Sequence, residues 1–278
     1  MRKLVNKPLW YTVVAGLVLP MLTLLVGGIL AGIFVAIISA IDYMMEWNAI
    51  FLIVFSIIMA IWVKKSLGDG FFNGLGCKGL GIAMLVALPM LAESVSYIVQ
   101  GVLAEIRPEL NALDFLCPLI TGVQPGVLEE LFFRGMVFGG LMHFRAGKKN
   151  RVLVAFLASS LSFSFIHMVN MLDGQSFIGT VNQLLFAFAI GSILCASYLR
   201  SRNLWAPIFY HSLHDSFAFF LLRTTDATSD GAPSYVQLVI YTLTIAYACY
   251  IIFSTKPEKV DEIWGAAKPE IIEEAVEI

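Results

Sequence analysis

Long apolar runs recur along this chain and restrict it to a fold that lipid can surround. Eight of them can be traced, at residues 9–40, 48–63, 80–100, 115–142, 152–170, 177–199, 204–222 and 235–254. A helix needs about 20 apolar residues to cross a hydrocarbon core of roughly 30 Å. Charged residues make up only 14% of the chain, against roughly 25% in soluble domains. The sequence therefore predicts an all-α, polytopic integral membrane bundle of about eight transmembrane helices.

The basic residues indicate how this bundle is oriented. Fifteen of the 18 Lys and Arg residues fall in the termini or in alternate loops that would share one side, two fall in the other loops, and Arg134 lies within a run. Because Lys and Arg accumulate on the cytoplasmic side, both termini are predicted to be cytoplasmic. We expect one transmembrane domain over residues 1–278, a short charged cytoplasmic tail at 255–278, and a location in the cytoplasmic membrane of a bacterium.

A small set of ionisable residues lies inside the apolar runs. Charge at membrane depth is costly, so each of them is a candidate for function. Glu93, on the third run, is a peripheral case. The others fall on the fourth, fifth and seventh runs, and they are Glu129, Glu130, Arg134, His167, His211, His214 and Asp215.

The three charges of the fourth run differ in their ability to pair. Glu130 and Arg134 are four residues apart, so on a helix they share a face and can form an ion pair. That pair is readily explained as a structural brace. Glu129 points about 100° away from Glu130 and needs either a partner from another helix or a water-filled cavity. The pattern therefore favours a chemical role for Glu129.

The histidines are open to structural and functional interpretations. A lone histidine on an apolar helix, such as His167, is commonly a structural residue with satisfied hydrogen bonds. His211 and Asp215 share a helix face, and a carboxylate beside a histidine orients the ring in structural pairs and in active sites alike. His214 lies on a neighbouring face and is interpreted as a packing or pore-lining residue.

The candidate residues are predicted to lie at similar depths. Glu129 and His167 are each 16 residues from the nearest basic loop on the cytoplasmic side, or about 24 Å at a helical rise of roughly 1.5 Å per residue. His211 and Asp215 are nine and 13 residues from theirs, or about 14 and 20 Å. One shared site is therefore plausible.

A carboxylate and two histidines at one depth could perform hydrolysis. Glu129 and one histidine could deprotonate a water for attack on a carbonyl, while the other histidine stabilised the oxyanion. The same residues could form a zinc site, although the HExxH spacing is absent, and a proton-coupled transporter could also use them. We favour glutamate-activated water and expect no cofactor and no metal.

Three motifs among these residues resemble the CPBP family, which includes CAAX prenyl endopeptidases and bacterial bacteriocin-processing and self-immunity proteins. The resemblance covers a motif-bearing core at about 115–222. The motifs are Glu129-Glu130-Leu-Phe-Phe-Arg134, Phe163-Ser-Phe-Ile-His167 and His211-Ser-Leu-His-Asp215.

The resemblance implies an intramembrane glutamate protease. In such an enzyme Glu129 and His167 would activate the attacking water, and His211 with residue 215 would bind the oxyanion. The residues that would support this site are Glu130, Arg134 and Phe163. Prenyl endopeptidases carry Asn where this chain has Asp215. An ionised Asp cannot donate a hydrogen bond, so Asp215 would act either protonated or by orienting His211.

The expected partners are the lipid bilayer and a membrane protein or peptide substrate, and no nucleic acid. A non-catalytic membrane immunity or scaffold protein is an alternative from another class. Intact motifs favour the enzyme, because a scaffold could replace Glu129 by Gln or Leu with a gain in stability.

Overall fold

A computed structural model describes residues 7–38, 44–67, 74–92, 94–95, 109–225 and 230–266. Within these ranges the regular structure is entirely helical. We number the helices α1 to α9 in chain order, joining segments that follow one another without a break. They are α1 (Pro8–Val13, Val14–Val18 and Leu19–Ile38), α2 (Met44–Leu67), α3 (Leu80–Ala87), α4 (Leu113–Glu129, Glu130–Phe138 and Gly139–Phe144), α5 (Arg151–Ile166, then a 3-10 helix at His167–Met171), α6 (Phe177–Ser201), α7 (Trp205–Thr224), α8 (Tyr235–Ser254) and α9 (Pro257–Trp264).

The helical class predicted from the sequence is confirmed. In the described part of the chain, α1, α2, α5, α6 and α8 contain segments long and apolar enough to cross a membrane. These helices turn many large apolar side chains outward, such as Leu25 on α1 and Val239 on α8, as lipid contact requires. A count of eight spans and the cytoplasmic termini stay predictions, and part of the third run lies outside the described residues.

Helix α4 runs through the centre of the bundle, and every residue from 130 to 142 is buried. Its middle segment, Glu130–Phe138, is a π-helix. A π segment shifts the backbone hydrogen-bond register and often occurs at functional sites. Two side chains from other helices donate to carbonyls of this segment: Tyr11 Oη to Met136 O at 2.7 Å and Ser159 Oγ to Phe133 O at 2.8 Å. The surrounding helices α1 and α5 thereby support the altered register.

Small residues bring α4 and α7 into close contact. Gly122 and Gly126 on α4 face Ser216 and Ser212 on α7, and a Cβ at Gly126 would lie 2.7 Å from the backbone nitrogen of Ser212. Pairs of small residues four apart allow membrane helices to approach closely. Because Glu129 follows Gly126 by one helical turn and His211 precedes Ser212, this contact sets the distance between the two main candidate residues.

The predicted charged tail begins with a packed helix. The Trp264 indole N–H of α9 donates to Leu199 O at 2.9 Å, and its ring packs edge-on against Phe138 and Tyr198. At the start of α5, Arg151 donates to Gly265 O at 3.1 Å and lies 3.3 Å from Asp261. The C-terminal segment therefore contacts the end of the π-helical segment of α4. Residues 267–278 lie outside the described ranges.

Candidate active site

A buried carboxylate on α4 connects the arginine of the same helix to a histidine of α7. Glu130 Oε1 accepts a hydrogen bond from Arg134 Nη1 at 2.8 Å, and both side chains are fully buried. The same oxygen lies 2.8 Å from His211 Nδ1. A carboxylate paired with a guanidinium can only accept, so Nδ1 of His211 is the donor in this contact. The bond fixes the His211 ring and turns its Nε2 away from Glu130.

Nε2 of His211 faces two further carboxylates. It lies 3.7 Å from Glu129 Oε2 and 3.5 Å from Asp215 Oδ2. The side chains of Glu129 and Asp215 are 19% and 22% exposed, whereas that of His211 is 5% exposed. Glu129 Oε2 has no hydrogen-bond partner among the described residues. The side chains of Glu129 and Asp215 are therefore less buried than the pair of Glu130 and Arg134, although the Oε2 atom of Glu129 is itself buried.

His167, like His211, is oriented by an acceptor at its Nδ1. Its Nδ1 lies 2.8 Å from the carbonyl oxygen of Phe163, and a carbonyl can only accept, so Nδ1 carries the proton. In the neutral ring Nε2 is then left as an acceptor. The rings of His167 and His211 both pack against Phe163. The structure thus brings the carboxylates of α4 and α7 and the histidines of α5 and α7 into one cluster.

Phe163 packs at the centre of this cluster. Its ring stands edge-on to His167 and His211, with centroids 5.3 and 5.5 Å apart. The guanidinium carbon of Arg134 lies 4.4 Å from the centre of the same ring, within the range of a cation–π contact. A Cβ at Gly191 of α6 would lie 3.1 Å from the Phe163 ring. Phe163 therefore positions three polar side chains, and Gly191 leaves room for it.

The remaining ionisable candidates of the sequence are His214 and Glu93. His214 is buried and packs against Phe186 with ring centroids 4.9 Å apart. Glu93 is not among the described residues. Within the described ranges, no group of three His, Cys, Asp or Glu side chains is arranged to hold a metal ion.

Several contacts that build the site were missed by sequence reasoning. The bond from Glu130 to His211 joins residues 81 positions apart, and no spacing rule indicates it. Tyr11 and Ser159 support the π-helical segment, which has no sequence signature here. Ser159 precedes a row of serines on the fifth apolar run, and that polarity was the one available signal.

The arrangement is suited to hydrolysis in a low-polarity setting. A partly exposed carboxylate stands beside two oriented imidazoles, and a fully buried ion pair fixes one of them. These features define an integral membrane protein with a carboxylate–histidine site inside its helical bundle.

Comparison with known proteins agrees with this class. Residues 111–217 match the family model described as type II CAAX prenyl endopeptidase Rce1-like. The chain is also 25% identical over 199 residues to the Bacillus subtilis protein described as "Putative membrane peptidase YdiL", a match covering 68% of this chain and 75% of that protein. No solved structure matches significantly. The two matches confirm the resemblance to the CPBP family and support a membrane protease.

Proposed function

We propose that this protein is an intramembrane endopeptidase that hydrolyses a peptide bond by means of a water activated by Glu129. The observation that supports this most strongly is the position of Glu129. It is a partly exposed carboxylate whose Oε2 lies 3.7 Å from His211 Nε2, while Glu130 rather than Glu129 pairs with the buried arginine. A structural ion pair would not need this second carboxylate.

In the proposed reaction Glu129 is the general base. It takes a proton from water while the water oxygen forms a bond to the peptide carbonyl carbon, and His167 Nε2 accepts the other water hydrogen as a hydrogen bond. The protonated Glu129 then gives its proton to the leaving amine as the C–N bond breaks. A positioned base of this kind contributes about 10²- to 10⁴-fold in rate.

His211 is proposed to bind the oxyanion. With Nδ1–H held by Glu130, a proton on Nε2 can be donated to the oxygen that gains negative charge. Asp215 Oδ2 lies 3.5 Å from that nitrogen and would orient and stabilise the protonated ring. This assigns Asp215 a positioning role, in which no hydrogen bond from Asp215 to the oxyanion is required.

The proposed substrate is a membrane protein or an apolar peptide in the bilayer. We propose the cytoplasmic membrane of a bacterium as the location, with both termini in the cytoplasm, because basic residues accumulate on one side of the predicted helices. Apolar outward faces on the described helices would place the site within reach of segments that diffuse in the membrane.

The test is cleavage of a library of bacterial membrane peptides by the purified protein in lipid nanodiscs. Wild type is compared with Glu129→Ala and His211→Ala, with and without a chelator. Loss of cleavage in both variants, with no effect of the chelator, is the expected result. Glu262→Ala and His143→Ala serve as matched controls, because both residues are exposed and lie outside the site.

The other outcomes separate the alternatives. Cleavage lost with the chelator and restored by zinc would make the same side chains metal ligands. Cleavage retained in Glu129→Ala would contradict the role of this carboxylate as the base. No cleavage by the wild type would contradict the enzyme and favour the immunity or scaffold protein.

A further inference from the structure

Two amide side chains form a contact between the 3-10 helix at His167–Met171 and helix α6. Asn170 Nδ2 donates to Gln183 Oε1 at 2.8 Å, and both side chains are half-buried. No other hydrogen bond of either side chain is found among the described residues. Asn170 Oδ1 remains as a free acceptor and Gln183 Nε2 as a free donor. The contact therefore leaves hydrogen-bonding capacity at a partly accessible position.

The 3-10 helix places Asn170 on the same face as His167. Residues three apart eclipse one another in a 3-10 helix, and His167 begins this helix. His167 is in turn a member of the cluster around Glu129. Asn170 consequently lies about one 3-10 turn further along the face that carries His167.

Helix α6 independently places Gln183 beside the same site. Gln183 shares a helix face with Phe186 and Ala187, three and four residues later. Phe186 packs against His214, and Ala187 lies in one buried cluster with Phe163. Gln183 therefore lies one helical turn from Ala187, which is packed in the same buried cluster as Phe163, the ring at the centre of the site.

A free acceptor beside a free donor matches the two hydrogen-bonding groups of a peptide unit. An extended peptide presents N–H and C=O groups that must be satisfied when they leave water, and the need is greater at membrane depth because lipid offers no partners. Primary amides can satisfy both peptide groups without placing a charge in the membrane. The pair is thus suited to an uncharged peptide backbone.

We propose that Asn170 and Gln183 bind the backbone of the substrate next to the scissile bond, Asn170 Oδ1 accepting from a peptide N–H and Gln183 Nε2 donating to a peptide C=O. This inference rests on the proposed endopeptidase function. It adds a binding site for the substrate backbone to that function. A substrate bound in this way is extended where it passes the pair, so a helical segment must unwind there before cleavage.

The test measures kcat and KM for a peptide that the wild type cleaves in the library experiment. Asn170→Ala and Gln183→Met are expected to raise KM about fivefold to tenfold, as loss of one or two neutral hydrogen bonds would, with kcat changed less than about twofold. The peptide is then remade as a series of esters, each with one backbone N–H replaced by oxygen. One ester should raise KM in the wild type and have no further effect in Asn170→Ala, since both changes remove the same bond.

The matched control is Asn182→Ala. Asn182 is a half-buried amide on the same helix, but both of its ends are used within the protein: Nδ2 donates to Gly231 O at 3.2 Å and Oδ1 accepts from Tyr241 Oη at 3.3 Å. Its loss should lower thermal stability and leave KM unchanged.

Three results would overturn the inference, and they are distinguishable. If Asn170→Ala lowers thermal stability and kcat while KM stays constant, the pair only braces the 3-10 helix against α6. If every ester changes KM equally in the wild type and in Asn170→Ala, no backbone N–H of the substrate donates to Asn170. In both cases Glu129→Ala still abolishes cleavage and the endopeptidase stands, whereas a wild type that cleaves nothing overturns the proposed function and this inference together.

Discussion

Glu130 and His211 are joined by a 2.8 Å contact between Oε1 and Nδ1, across 81 residues of chain and two helices. The same oxygen also accepts from Arg134. One buried carboxylate oxygen therefore holds both the Arg134 guanidinium and the His211 imidazole. Glu129, the neighbour of Glu130 in sequence, is not needed as the counter-ion of Arg134. The difference between two adjacent glutamates follows from this single contact.

Substitution of Glu130 should destabilise the fold more than loss of the whole ion pair. Glu130→Gln leaves the Arg134 charge buried without a counter-ion, which we expect to lower the free energy of unfolding by about 3–5 kcal/mol. The double variant Glu130→Gln with Arg134→Met should recover most of this loss. Unfolding in mixed micelles measures both. A double variant as unstable as Glu130→Gln alone would contradict the assignment of the cost to an unpaired buried charge.

The contact of Gly126 with Ser212 should tolerate no added methyl group. A Cβ at Gly126 would lie 2.7 Å and 2.9 Å from the backbone N and Cα of Ser212, so Gly126→Ala must separate α4 from α7. We expect a loss of about 1–3 kcal/mol in the free energy of unfolding, as in other overpacked positions, together with reduced cleavage.

Gly28→Ala is the control for that change. A Cβ at Gly28 on α1 has nothing within 4 Å, so the substitution should keep or raise stability through its better helix propensity. Equal effects of the two substitutions on thermal unfolding would contradict a specific contact between α4 and α7.

The hydroxyl of Tyr11 should protect the π-helical segment of α4. Tyr11→Phe leaves the buried carbonyl of Met136 without its 2.7 Å donor, at a cost of about 1–3 kcal/mol. Amide hydrogen exchange over residues 130–138 should become faster. Tyr250→Phe, at a side chain that is 70% exposed, should leave exchange unchanged, and an equal response would show that Tyr11 is not a specific support.

Asp215→Asn distinguishes an orienting carboxylate from one that must be charged. An amide oxygen can still contact His211 Nε2 at the 3.5 Å distance of the present carboxylate, and its N–H₂ adds a donor. We expect kcat within about tenfold of wild type for Asn and a loss of about 10²-fold for Asp215→Ala, because the oxyanion donor His211 would then lose its orienting partner. If Asn is as inactive as Ala, the negative charge itself is required.

The sequence predicts the helices and the brace because both depend on local spacing. Long apolar runs place the helices, and the four-residue interval puts Glu130 beside Arg134 on one face. The bond from Glu130 to His211 depends instead on the rotation of α4 against α7. That rotation is set by the packing of Gly122 and Gly126 on serines of α7 and by a π-helical segment that changes the register after Glu129, and neither can be derived from periodicity.

The C-terminal helix shows a signal that was present in the sequence and unused. Pro257 is suited to the first turn of a helix, and Val260 and Trp264 are four apart, so they share one apolar face. Both side chains are buried. The charges between them, which suggested a solvated tail, lie on the other faces of the same short helix.

The packing of Trp264 has a consequence for the order in which the fold can be completed during translation. Its ring packs against Phe138, the last residue of the π-helical segment, and against Tyr198. During translation Phe138 and Tyr198 leave the ribosome long before Trp264, so the end of that segment lacks this neighbour until α9 has been synthesised. A chain interrupted anywhere before α9 would insert its earlier helices and still lack this final contact. The C-terminal end of the π-helical segment is therefore packed only after α9 has been synthesised, well after the segment itself has been made.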